Sequence, residues 1–600
     1  MKALQIDRCF ARRVRFYDKN DPAVPEALSG APTPPDLAGI ACPLPARRRD
    51  YTCMAKTGRA VWLGADNGVT RYEETPAREV DRVTYFSALR ELPDNRVLNL
   101  IADETADDAV WVLTETGATR IRTEYVTAEQ KAEELTRETL SYVSRRGMVS
   151  QRELTAARDP ASAVNYGHSD NSGTFTAAFA VGELCKYAWY KRTLGADNEK
   201  TVAAKKSAVR SLEACLLLCY IPCRGDGFVA RTYLAPHEPI PEDGLFYRIE
   251  NGKATCVDLP FARERGIAGK TVDASAPIPE RLTKLFTDEG HTLDGLVYKG
   301  DTSSDEITHH FLLFYFAHKI LGDEEPELDA LVKDRAEAIL DHILSHGCTM
   351  CECDGRPTTW ARWDIPYFHT PIGWSDACLN SAELLMYHKV AMFVTGKTEK
   401  YADSYWKLAI DDGYAALTAK HEARFFLSSL TSGREEVEEL MYGDNALATC
   451  AYWLLVTLED DENLKAIYKN GYRGWDLTFR REHNPFYDFP YALCFPDAEL
   501  DRDKLTDWFR RTDVTRLACS VSVSERKDVP KRIRMSGEEE TSCLLMPDER
   551  AVSKYDRNPF AYLNTHNDRG EYLVESCYVY TCAYWLGKYF GLIADGEGEA

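Results

Sequence analysis

Thr174–Gly195 reads TFTAAFAVGELCKYAWYKRTLG, and Glu199–Tyr220 reads EKTVAAKKSAVRSLEACLLLCY. Both carry apolar residues at spacings of three and four, the pattern of a helix that buries one face. A connection this short returns the second helix antiparallel to the first. The same arrangement recurs as Ser303–Gly322 with Glu327–Gly347 and as Leu379–Lys397 with Glu399–Thr418. Glu435–Leu458 and Glu571–Ile593 add two more helical runs. Roughly ten to twelve helices paired as hairpins predict a mainly α fold, an (α/α)6 toroid.

Ahead of Thr127 the chemistry differs. Ala60–Tyr72, AVWLGADNGVTRY, and Ala109–Ile121, AVWVLTETGATRI, share six of thirteen aligned positions at an offset of 49 residues. Each has a β-rich run, a turn containing Gly68 or Gly117, and a second short run, which predicts a hairpin. A repeat of this length built from short strands is that of propeller blades, although two copies are too few to close a propeller. The expected organisation is therefore a small N-terminal β module of two propeller-blade-like hairpin repeats, residues 1–124, followed by the toroid, residues 125–600.

The chain has 600 residues, 44% of them hydrophobic and 28% charged, which is the balance of a folded protein of more than one unit. A formal charge of −22 excludes a general binder of nucleic acid or anionic membranes, because phosphate recognition needs a basic surface. The N-terminus lacks the apolar core of a signal peptide, and no run of about 18 apolar residues spans a bilayer. The 18 cysteines fall mainly within apolar helical runs, the usage of a reducing compartment, so a cytoplasmic location is expected.

Four further segments bear on function: Asp170-Asn171-Ser172-Gly173, the run Gly300 to Glu306 (GDTSSDE), Trp360-Ala361-Arg362-Trp363, and Tyr584 to Ile593 (YWLGKYFGLI). On these the chain resembles bacterial proteins that join propeller-type repeats to an (α/α)6 toroid, over about Ala60 to Ile593. The resemblance implies a carbohydrate-active protein of the glycoside hydrolase or polysaccharide lyase kind. Two places depart from it. Ser172 stands where the resemblance implies Asp, and Asn445-Ala446 follow Asp444 where it implies a second acid and a Glu.

Asp301, Asp305, Glu306, His309 and His310 lie within ten residues at a predicted helix start. Acids are favoured in a first helical turn by the dipole, with Ser303 or Ser304 as cap. That many ionisable groups exceeds what capping needs, so Asp305 and Glu306, with Asp301, are the candidate general acid/base residues. Glu306 and His310 are one turn apart and share a face. Glycoside hydrolysis needs a second carboxyl, and Asp170, Asp364 and Asp444 each stand beside a helix start or hairpin. A lyase would instead use a Tyr, His or Lys base while a cation neutralises a uronate. Asn165, Tyr166, His168 and Asn171 could serve it, with Arg231 or Arg362 on the carboxylate; the plainer account of that loop is capping of the next helix. Trp360 and Trp363 flank Arg362 in a loop-rich stretch with Tyr367, Phe368, His369 and Trp374, and either stack on sugar rings or pin the loop.

His346, Cys348, Cys351 and Cys353 lack the second ligand pair of a structural zinc site, so no metal is expected. No phosphate-binding loop, dinucleotide glycine motif or metalloprotease motif occurs, and no cofactor is expected. The expected function is glycoside hydrolysis of an oligosaccharide or glycan. Uronate elimination and non-catalytic carbohydrate binding are the alternatives; no nucleic-acid partner or membrane insertion is expected.

Overall fold

The computed structural model describes residues 2–38, 40, 50–166, 170–420, 442–512, 529–533, 539–550, 558–562 and 570–595. The chain is mainly α, with several small sheets.

The repeated stretches are hairpins. Strand β1 is Cys9–Tyr17, β2 Cys53–Lys56, β3 Ala60–Ala65, β4 Gly68–Glu73, β5 Val83–Phe86, β6 Val97–Ala102, β7 Ala109–Thr114 and β8 Ala118–Val126. The first repeat is β3–β4, in register from Ala60↔Glu73 to Ala65↔Gly68. The second is β7–β8, from Ala109↔Arg122 to Leu113↔Ala118. Each hairpin forms the middle of a four-stranded antiparallel sheet, ordered β2-β3-β4-β5 and β1-β8-β7-β6. The outer strand of the second sheet comes from the start of the chain and pairs along all of β8. Alternation puts Trp62, Val97, Leu100, Val110 and Val112 between the sheets as one apolar cluster. Asp108 ties the repeats together, accepting from Thr57 (2.8 Å), the Trp62 indole (3.1 Å) and Arg71 (2.7 Å).

Thr127 ends the β region. Its hydroxyl accepts from the Gln130 backbone and the Gln130 side chain returns the bond, a reciprocal cap that starts helix α1, Ala128–Glu138. The other long helices are α2 Ser172–Leu194, α3 Glu199–Tyr220, α4 Ser304–Leu321, α5 Pro326–Ser345, α6 Pro371–Thr395, α7 Thr398–Trp406, α8 Tyr442–Leu458, α9 Glu462–Phe479, α10 Pro485–Cys494, α11 Arg502–Arg511 and α12 Tyr578–Tyr589. Helix α2 packs on α4, α4 on α6, α6 on α8, α8 on α10, α10 on α12, and α12 returns to α2. Helices α3, α5, α7 and α9 each lie behind the helix before them. The six contacting helices are buried along most of their lengths, as helices apolar on nearly every side must be. Gly182 permits a close approach of α2 to α12, since a Cβ there would stand 2.9 Å from Cys582 Cα.

These helices run the same way. Near their starts Phe175 meets Tyr578, and Phe486 meets Tyr578. Near their ends Phe316, Trp453 and Phe590 meet one another. The long connections gather at the starting end. Strands β9 Gln151–Leu154 and β10 Ala163–Tyr166 precede α2, and between α3 and α4 lie β11 Thr232–Leu234, β12 Phe246–Glu250, β13 Lys253–Cys256, β14 Thr271–Asp273 and β15 Val297–Lys299, these five forming one sheet. Between α5 and α6 lies the hairpin β16 Thr349–Cys351 and β17 Pro357–Arg362, with Gly355 left-handed in its turn. Among the described residues no helix is long and apolar enough to cross a membrane. The described cysteines are free and mostly buried.

Candidate active site

The site is built at the starting end of these helices. Strand β15 leads into Gly300 and then Asp301, whose backbone is left-handed (φ 47°). Glu352, 2% exposed on the β16–β17 hairpin, accepts the Asp301 amide (2.5 Å) and the Tyr247 hydroxyl (3.0 Å). The Asp301 carboxylate accepts from the amide and hydroxyl of Thr359, both at 2.8 Å. Asp301 thus joins the turn to the hairpin that carries Trp360 and Arg362, and its carbonyl accepts from Arg231 (2.7 Å).

Ser303 is the residue before α4, and it makes no side-chain cap. Asp305 and Glu306 follow in the first turn, about 100° apart around the helix. That rotation separates their surroundings. Glu306 is 0% exposed and points at α2, where one oxygen accepts weakly from Thr174 (3.4 Å from the amide). A Cβ on Gly173 would stand 2.0 Å from its other oxygen, and burial drives its carboxyl well above the usual range. His310 lies in the same contact, its ring nitrogens facing the carbonyls of Glu306 (2.6 Å) and Cys215 (3.1 Å). Neither has an opening to ligand. Asp305 keeps part of its surface. Its carboxyl is raised by the surrounding protein and then by Asp444, with Arg231 opposing.

Asp444 is in the first turn of α8 and partly exposed. Asp170 precedes α2; its carboxylate meets Arg231 (3.2 Å) and Lys299 (2.5 Å). Lys299 also meets Asp243 (3.0 Å). Asn171 is the cap residue of α2 but forms no cap, and its Oδ1 is buried without a hydrogen bond. His168 lies outside the described residues. Ser172 is 0% exposed and donates to Thr232 (3.1 Å), and Asn445 is 2% exposed. Both positions face packed protein, so an acid there would be buried.

The aromatic stretch divides. Trp360 is 49% exposed. Trp363, for which stacking on a sugar and pinning the loop were both open, is fully buried, its indole donating to Glu383 (2.9 Å) because Ala361 and Trp363 turn inward against α6. Arg362 closes both arms on Asp364 (3.0 and 3.1 Å) and lies over the Tyr367 ring.

Glu383 was not singled out from the sequence. It is 0% exposed beneath the site, accepts from Trp363 and Thr308 (3.0 Å), and feels both Asp305 and Asp444. Burial pushes its carboxyl up to about 8. The signal available for it was an acid inside the apolar helix run LNSAELLM. Glu352 was hidden in CEC, where the cysteines drew attention to metal chemistry. The arrangement supplies two partly exposed carboxyls on neighbouring helix starts, one favouring its proton, over a neutral buried floor.

No family model and no curated protein matches the chain. A solved structure named Bacteroides ovatus GH9 aligns over 83% of this chain and 94% of its own, at 11% identity and a TM-score of 0.30. A likeness that loose leaves fold and activity to be argued from the residues themselves.

Proposed function

We propose that the chain is a carbohydrate-active enzyme that hydrolyses glycosidic bonds, with Asp305 as general acid and Asp444 as the second carboxyl. In this reading residues 125–600 form an (α/α)6 toroid, supported by the helix contacts that return from α12 to α2. Residues 1–124 are a propeller-like β module at its side. The observation that carries the function is the Asp305/Asp444 pair, partly open to solvent, in which burial and then the charge of Asp444 raise the Asp305 carboxyl. Glycoside hydrolysis needs that division of roles: a proton for the leaving oxygen and a carboxylate for water or the sugar carbon. Asp301 holds the rim in place, and Trp360 is the ring available for stacking.

The test is mass analysis of products from a panel of oligosaccharides. Fragments whose masses sum to substrate plus one water are expected. Asp305→Asn and Asp444→Asn should each slow their formation by about 10²–10⁴-fold, and Trp360→Ala should weaken binding without loss of folding. Fragments that sum to the substrate mass with a new double bond would refute hydrolysis. Binding with no cleavage would leave a carbohydrate-binding protein.

A further inference from the structure

We propose that this site takes a glycan without acidic groups and rejects uronate-containing ones. The inference rests on the carbohydrate reading above and adds the substrate class. Its basis is the state of the cations at the site. Arg231 spends its Nε on the Asp301 carbonyl and its Nη1 on Asp170. Lys299, with a side chain only 2% exposed, sits between Asp170 and Asp243. Arg362 closes both arms of its fork on Asp364. Further along the same connections Arg145 and Arg146 converge on Glu238, and Arg265 on Asp354. Among the described residues, each of these cations already meets a carboxylate of the protein, with Arg145 and Arg146 sharing Glu238 and Arg265 sharing Asp354 with Arg356.

The accessible charge is of the other sign. The side chains of Asp170 and Asp243 are 41% and 50% exposed, and Asp305 and Asp444 keep part of their surfaces. An entering carboxylate would have to displace Asp170 from Arg231 and Lys299. One of the two anions would then stand unpaired beside the other, a juxtaposition that costs about a hundredfold in affinity or more. A sugar hydroxyl meets no such obstacle, because ionised carboxylates accept hydrogen bonds through the lone pairs their partners leave. The same masking removes the cation that an elimination mechanism needs to neutralise a uronate.

The experiment is calorimetric titration of the full-length protein with uncharged xylo-, cello- and manno-oligosaccharides and with oligogalacturonides, at one ionic strength. The uncharged set should contain a ligand, and the uronates should bind at least about a hundredfold more weakly. Asp170→Asn, which unmasks Lys299 and Arg231, should raise oligogalacturonide affinity about tenfold. Asp243→Asn, which relieves Lys299 from a half-exposed carboxylate, should act in the same direction and serves if Asp170→Asn fails to fold. Tight uronate binding by the wild type would overturn this inference and leave the carbohydrate reading standing. Binding of neither set would overturn both. Folded variants with unchanged uronate affinity would refute the masking argument.

Discussion

Replacing Glu383 with Gln should stabilise the protein at neutral and alkaline pH. In the fold this carboxyl is 0% exposed, and burial raises it from an ordinary 4.5 to about 8. Between those values the folded chain keeps a proton that the unfolded chain has released. Stability therefore falls as pH rises across the window, by about 1.4 kcal/mol per pH unit. Across the whole window the loss is about 5 kcal/mol. Glutamine has the same shape and no proton to lose, so its curve should be flat there. Its amide must serve two donors, the Trp363 indole and the Thr308 hydroxyl, which costs about 1–2 kcal/mol. With about 2.1 cal/mol/K per residue, unfolding 600 residues converts the remainder at pH 8 into a Tm gain of about 2–3 °C. The gain should shrink and reverse toward pH 4.5. The assay is Tm of both proteins from pH 4.5 to 8.5. Parallel curves would refute the reasoning, because they would mean that Glu383 does not hold its proton in the fold.

Gly173→Ala should destabilise the α2–α4 contact by about 1–3 kcal/mol, since its Cβ would collide with Glu306 at 2.0 Å and His310 at 2.7 Å; a lowered Tm checks this, and an unchanged one would place Glu306 elsewhere. Asp548 joins the N-terminal sheets to α11, accepting from Arg12 (2.6 Å) and Arg511 (2.9 Å), and those guanidiniums hold its carboxyl low despite burial. Its contribution is present above the ordinary carboxylate value and is lost as pH falls through the lowered one. Asp548→Asn should cost about 1–3 kcal/mol at pH 7 by removing the carboxylate that Arg12 and Arg511 share while Glu91 and Glu549 still meet them, read as faster hydrogen exchange along β1.

The local elements were legible in the chain. The thirteen-residue repeats carry their own turns and their own alternation, so β3–β4 and β7–β8 follow from neighbours in sequence. The helix pairs likewise follow from spacings of three and four with short connections. The partner of β8 was not legible, because β1 lies more than a hundred residues earlier and its pairing is a long-range event. Leu4, hydrogen-bonded to Leu592 and Ala594, shows the same limit at the ends of the chain.

The site shows the division most sharply. Sequence alone determined that acids would crowd the start of one helix, because helix starts accept them, and that tryptophans would border an arginine in a loop-rich stretch. It also determined most of the helices, since a helical period is a local property, although Leu573–Glu575 within the predicted run Glu571–Ile593 is a strand because it pairs with residues 151–153. Only the tertiary structure decided that Asp305 feels the charge of Asp444 while Glu306 faces Gly173, and that Trp360 faces solvent while Trp363 is buried on Glu383. Adjacent residues on a helix diverge by about 100°, and what each then meets belongs to other elements far away in the chain.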